Sequence, residues 1–163
     1  MSKEQIVGLN SVFPVVFDDV YAHGAFVSGG VTPVRDWKRS TADEFVQAEE
    51  EVLDPGSGEV VRLPVWSVTI LDGDWEQKAD PITVRIVARH QPVVPEPAEG
   101  MPFRPVVLEG MAIQARVNRD KCQAPWGGRQ HRCGGRVDWN VWARGLRPAG
   151  TPARSDNGKA SAS

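Results

Sequence analysis

Hydrophobic and polar residues alternate with a period of two along much of this chain. In Ile82–Arg89, the residues Ile82, Val84, Ile86 and Ala88 fall on one side, and Thr83, Arg85, Val87 and Arg89 on the other. The run Leu63–Leu71 (LPVWSVTIL) is rich in β-branched and aromatic residues, which suit a pleated, half-buried surface. Its Trp66, Val68 and Ile70 share one face, and Val65, Ser67, Thr69 and Leu71 share the other. Val106–Val117 reads as a longer strand bent at Gly110. Beyond the bend, Met111, Ile113, Ala115 and Val117 oppose Ala112, Gln114, Arg116 and Asn118. Arg136–Arg144 places Val137, Trp139, Val141 and Ala143 inward, and Asp138, Asn140, Trp142 and Arg144 outward. A further strand covers Ala25–Trp37, interrupted at Gly29-Gly30 and Pro33. The helical candidate is Ser40–Leu53, with Thr41 as N-cap and Glu44 three residues on. Its apolar positions (Phe45, Val46, Val52, Leu53) make no clean stripe.

About five strands with long first and fourth connections predict an all-β protein. The expected form is a five-stranded OB-like Greek-key barrel with long loops, and a small β-sandwich is the alternative. The Pro-rich segment Gln91–Pro105 is expected as an extended crossing loop, and Asn118–Gly135 as a Gly- and Arg-rich loop before the last strand. The chain divides into an N-terminal extension packing on the barrel (1–24), the barrel domain (25–148) and a disordered tail (149–163), whose composition is small and polar.

The 163 residues are 40% apolar, enough for one domain with a modest core. Charge is unevenly spread. Residues 1–103 carry 8 Lys/Arg against 17 Asp/Glu, and residues 104–163 carry 11 against 4. This asymmetry points to a polyanion-binding C-terminal part or to a self-complementary dipole. The second reading leaves monomer and homodimer both open.

No apolar run approaches the roughly 20 residues of a membrane span, and the start lacks the features of a leader peptide. The expectation is a cytoplasmic protein without a membrane partner, with Cys122 and Cys133 as thiols facing each other at the ends of a hairpin loop. Cys122, His131 and Cys133 do not have the paired spacing of a zinc site, so no metal or other cofactor is expected. The carboxylates lie in surface-like runs and no nucleophile or phosphate-loop pattern is present, so no enzyme is expected.

Nucleic acid fits better. The outward strand positions supply Arg85, Arg89, Arg116, Trp142 and Arg144. The last long loop and its margins add Arg119, Lys121, Trp126, Arg129, Arg132 and Arg136. Basic side chains neutralise phosphates, and aromatic rings stack unpaired bases. Trp126 and Trp142 are therefore the expected base platforms, whereas Trp66 and Trp139 fall on the faces expected to be core. Single-stranded DNA is the expected partner, since no helix-turn-helix pattern is present.

Several separated motifs carry a resemblance. They are Phe13–Phe26 (FPVVFDDVYAHGAF), Pro33–Asp36 (PVRD), Leu63–Trp66 (LPVW), Pro102–Val106 (PFRPV) and Ala143–Arg147 (ARGLR). In this order, over roughly residues 12–148, the chain resembles the plasmid replication, integration and excision activators of actinobacterial plasmids and integrative conjugative elements. The resemblance implies a DNA-associated accessory role in replication or transfer of such an element, with element-encoded replication or excision proteins as partners. It assigns no catalytic or ligand residues. The word activator would imply transcriptional control on duplex DNA, and a protein–protein adaptor is a third role. In strand pattern alone, the chain is loosely similar to the helix-destabilising proteins of filamentous phages, which coat single strands.

Overall fold

The computed structural model describes residues 12–54, 56–76, 80–97, 99–119, 122–123 and 132–150. Its elements are β1 (Phe13–Pro14), a single helical turn α1 (Phe17–Val20), β2 (Ala25–Pro33), β3 (Glu49–Leu53), β4 (Val60–Asp72), β5 (Ile82–Val87), β6 (Arg104–Glu109), β7 (Ala112–Asn118), β8 (Cys122–Gln123), β9 (Arg132–Cys133), β10 (Arg136–Ala143) and β11 (Gly145–Pro148). The fold is all-β, built on a curled sheet with the form of a half-barrel. Nine strands belong to that sheet, in the order β1-β7-β10-β5-β4-β2-β6-β11, with β3 paired to β4. Among the described residues, only β10–β5 is parallel and every other pair is antiparallel.

The sheet thus has nine strands where the sequence reading counts five. Part of the difference lies in two breaks. The expected strand Val106–Val117 is divided into β6 and β7 at Gly110, whose φ of +59° few other residues adopt without strain. A Cβ there would also lie 2.7 Å from Cγ of Arg144. Arg144 in turn separates β10 from β11, a strand that lies beyond the expected Arg136–Arg144. The rest comes from β1 and β3, which the alternation did not reveal. β3 occupies part of the expected helix Ser40–Leu53. Glu44 N–H does donate to Thr41 Oγ1, as a helix cap would require, but the chain turns instead of winding on. The three successive glutamates and Val52 then pair with β4, from Glu49 opposite Pro64 to Leu53 opposite Val60.

The alternation explains which side is buried. Val68 and Ile70 of β4, Val84 and Ile86 of β5, and Val141 and Ala143 of β10 all face the core. Val27, Val106, Leu108 and Met111 close it, and among the described residues no buried polar or charged residue interrupts it. A fully buried Ile such as Ile70 or Ile86 contributes about 1.5–3 kcal/mol through the apolar surface it removes from water. The N-terminal segment joins this core: β1 pairs with β7, Tyr21 is buried, and Val15, Phe17 and Val20 pack against the cluster. The expected disordered tail lies outside the described residues from position 151 on, and so do positions 1–11 of the N-terminal extension.

Two inward assignments fail at the far end of the β7–β10 hairpin. Trp139 and Val137 share a face with Val141, yet Trp139 is 54% exposed and Val137 56%. Their partners Ala115 and Val117 extend the same face past the core, and Val117 is 61% exposed. Trp139 is therefore not a core residue. The pleat continues in phase, but the hairpin outruns the strands that cover it.

Candidate nucleic-acid interface

On the face opposite the core, pairing aligns one residue from each of five strands. Ala112 of β7 stands beside Trp142 of β10, Trp142 beside Arg85 of β5, Arg85 beside Ser67 of β4, and Ser67 beside Thr32 of β2. The row is held by side chains as well. The Arg85 guanidinium lies 5.2 Å from the Trp142 ring centroid, a cation–π distance. Thr32 and Ser67 join through their hydroxyls at 3.0 Å. The indole Nε1 of Trp142 is buried without a partner among the described residues, so the ring is half-covered rather than wholly presented. Arg85 is exposed where Trp142 is half-buried, so the guanidinium is the more accessible member of the pair.

Along β7 and β10 the same face is polar. Gln114 lies opposite Asn140, Arg116 opposite Asp138, and Asn118 opposite Arg136. Asn118 Nδ2 donates to Asp138 Oδ2 at 2.7 Å, and Arg136 Nε to Asp138 Oδ1 at 2.9 Å. Asp138 is thereby committed to two partners. Arg116 and Arg119 have no ion-pair partner among the described residues, and with Gln114 and Asn140 they line a shallow depression of about 400 Å³. Two guanidinium groups without an ion-pair partner among the described residues, amide donors and an indole with Arg85 over its ring form an anion-attracting surface.

The sequence-predicted site residues separate into four groups. Arg85, Trp142, Arg116 and Arg119 lie along this face. Arg136 sits at the hairpin end, tied to Asp138, and Arg144 lies at the bend with its stem against Gly110. Arg89 lies two residues past the end of β5, which stops at Val87, and is exposed. At that end both faces of the strand are covered: Ile86 and Val87 are buried in succession, and Ala88 packs against the core. Lys121, Trp126 and Arg129 lie outside the described residues. Arg132 falls in β9, with its side chain undescribed. Cys122 and Cys133 stand opposite each other in the β8–β9 ladder, as the hairpin-loop reading expects.

Sequence reasoning missed a second aromatic cluster. Arg35 lies 4.7 Å from the Trp37 ring centroid and 5.9 Å from that of Phe45. Trp37 is 79% exposed and Phe45 52%. The loop beneath them is tightly bonded: Asp36 N–H donates to Val46 O, Ala48 N–H to Val34 O, and Arg39 Nε to Asp36 Oδ2 at 2.7 Å. That last bond, above all, holds the Asp36 carboxyl below its ordinary range. The convergence of Trp37 and Phe45 on Arg35, from positions eight residues apart, has no period to reveal it.

Among the described residues, no helix is long and apolar enough to cross a membrane. Set beside known proteins, the chain matches no protein-family model, no curated protein and no solved structure.

Proposed function

We propose that this chain is a non-catalytic DNA-binding accessory protein that acts in the cytoplasm and takes single-stranded DNA on the outer face of an OB-like barrel. The observation that carries the reading is the row Ala112–Trp142–Arg85–Ser67–Thr32, with Arg85 over the Trp142 ring and, alongside, Arg116 and Arg119, which have no ion-pair partner among the described residues. Unpaired bases stack on aromatic rings and guanidinium planes, at about 1–3 kcal/mol per base, while arginines neutralise the backbone. The strand connections support the OB-like form. β6 and β7 are separated by Gly110 and Met111 alone, and they pair with β2 and β10 respectively. Counted as one bent strand, they return the order β2-β4-β5-β10 to its start, as a five-stranded Greek-key barrel does. A role in replication or transfer of a plasmid or integrative element, alongside that element's own proteins, rests on the motif resemblance.

Tryptophan fluorescence titrated with oligo-dT tests the proposal. Quenching at low salt that weakens steeply as salt rises is the expected result. No response at low salt sinks it and leaves the adaptor role, which the opposite charges of the two parts favour. Tighter binding to duplex than to single strand transfers the reading to a transcriptional activator.

A further inference from the structure

We infer that Cys122 and Cys133 are a redox pair that closes a reversible cross-strand disulfide and locks the end of the β7–β10 hairpin. They are the only two cysteines of the chain, and they stand directly opposite each other in the β8–β9 ladder. Opposed positions of an antiparallel pair hold their Cα atoms about 4.5–5.5 Å apart, inside the roughly 4.4–6.8 Å that a disulfide spans. The backbone register therefore brings the two residues within bonding reach with no shift of either strand.

The place of this ladder in the fold decides what the bond does. β8 follows β7 after three residues, and β9 precedes β10 by two. The hairpin thus resumes beyond Asn118 and Arg136 one residue out of register. The resumed ladder is two residue pairs long and forms a sheet apart from the nine-stranded one. So short a pairing is marginal in water by itself, and a covalent tie between its strands makes it permanent. Cys122 N–H also donates to Arg119 O at 2.8 Å, and Arg119 lines the depression together with Arg116. The tie therefore acts directly beside the arginine face.

The oxidant is a small disulfide of the glutathione class. One cysteine thiolate attacks a sulfur of oxidised glutathione and releases a glutathione thiolate. The second cysteine thiolate attacks the protein sulfur of that mixed disulfide and releases the other. Two thiols become one disulfide, two electrons pass to glutathione, and the protons lost by the cysteines end on the two glutathione thiols. Excess reduced glutathione runs both steps backward, so the dithiol form prevails in a reducing compartment.

Full-length protein equilibrated with oxidised glutathione, alkylated and digested with trypsin without reductant tests this. Peptide 122–129 should emerge joined to peptide 133–136, and reduced glutathione added before alkylation should abolish the joined species. Cys122→Ser and Cys133→Ser should each retain a glutathione on the remaining cysteine, which the wild-type chain sheds. In the oxidised protein the Cys122 amide should exchange with solvent at least about tenfold more slowly than in the reduced protein. A wild-type chain that stays dithiol, keeps a glutathione on each cysteine, or joins to a second copy through them overturns the inference. So does an exchange rate that the bond leaves unchanged. No step uses DNA, so this inference and the binding proposal fail separately.

Discussion

Replacing Tyr21 by Phe isolates a single buried hydroxyl. Tyr21 is 3% exposed, its ring 5.4 Å from that of Phe17, and its Oη has no hydrogen-bond partner among the described residues. The phenylalanine ring keeps that packing. An unpaired buried hydroxyl costs about 1–3 kcal/mol in lost hydration, so Tyr21→Phe should raise stability at neutral pH by about 1 kcal/mol or more. A second consequence appears in alkali. Burial first, and the nearby Asp72 carboxylate second, push the Tyr21 pKa from 10.0 to about 12. Between those values the unfolded chain has lost the phenolic proton and the folded chain keeps it. The wild-type protein therefore loses stability as pH rises above about 10, and the loss is complete once pH passes about 12. It amounts to at most about 3 kcal/mol, and the phenylalanine variant does not show it. The chain has one tyrosine, so the tyrosinate absorbance of the folded protein reports this residue alone. Urea denaturation of both proteins from pH 7 to 11 supplies the stabilities. A tyrosinate midpoint near 10 in the folded protein, or a variant less stable by 1 kcal/mol at pH 7, refutes the reasoning.

Other substitutions probe the fold and the face. Gly73→Ala puts a Cβ against the backbone carbonyl of His23, which cannot rotate away; a loss of more than about 2 kcal/mol in thermal unfolding is expected. Trp139→Ala should cost less than about 1 kcal/mol because the ring is already half in water. Trp66→Ala, which removes core packing and the Nε1 hydrogen bond to Ala88 O at 3.0 Å, should cost about 3–5 kcal/mol by the same urea curves. Arg85→Ala should weaken oligo-dT binding by about 1–2 kcal/mol while leaving the melting curve almost unchanged. Arg116→Ala combined with Arg119→Ala should flatten the dependence of log Kd on log salt by about 1.4, roughly 0.7 per lost phosphate contact on a single strand.

Much of the sheet was legible because its central strands obey one rule. Where a strand is covered on one face only, the period of two is enforced, and Val84, Ile86, Val141 and Ala143 could be placed inward from the sequence. The same rule set Trp142 opposite Val141, beside Arg85. It could not say where cover ends. Trp139 is in phase with Val141 and still lies in water, because burial depends on how far neighbouring strands reach. Nor could it say that Val87, on the Arg85 side, is buried, because a second surface closes over the end of β5. The helix signal at Thr41–Glu44 was chemically real, since that hydrogen bond forms, but one cap without an apolar stripe does not hold a helix. The Arg35–Trp37–Phe45 cluster depends on a loop path fixed by bonds such as Arg39 to Asp36, which no periodicity records.

The position of β10 has a consequence for synthesis. It leaves the ribosome after both of its neighbours and inserts between them, β5 on one side and β7 on the other. Until it arrives, each of those strands presents an unpaired edge beside hydrophobic side chains destined for the interior. Its parallel partner β5 lies about 50 residues upstream, so no local hairpin can shield that edge in the meantime. A nascent or truncated chain ending before Arg136 should therefore be sticky, and cells would need to complete the polypeptide, or chaperone it, before the sheet can protect itself.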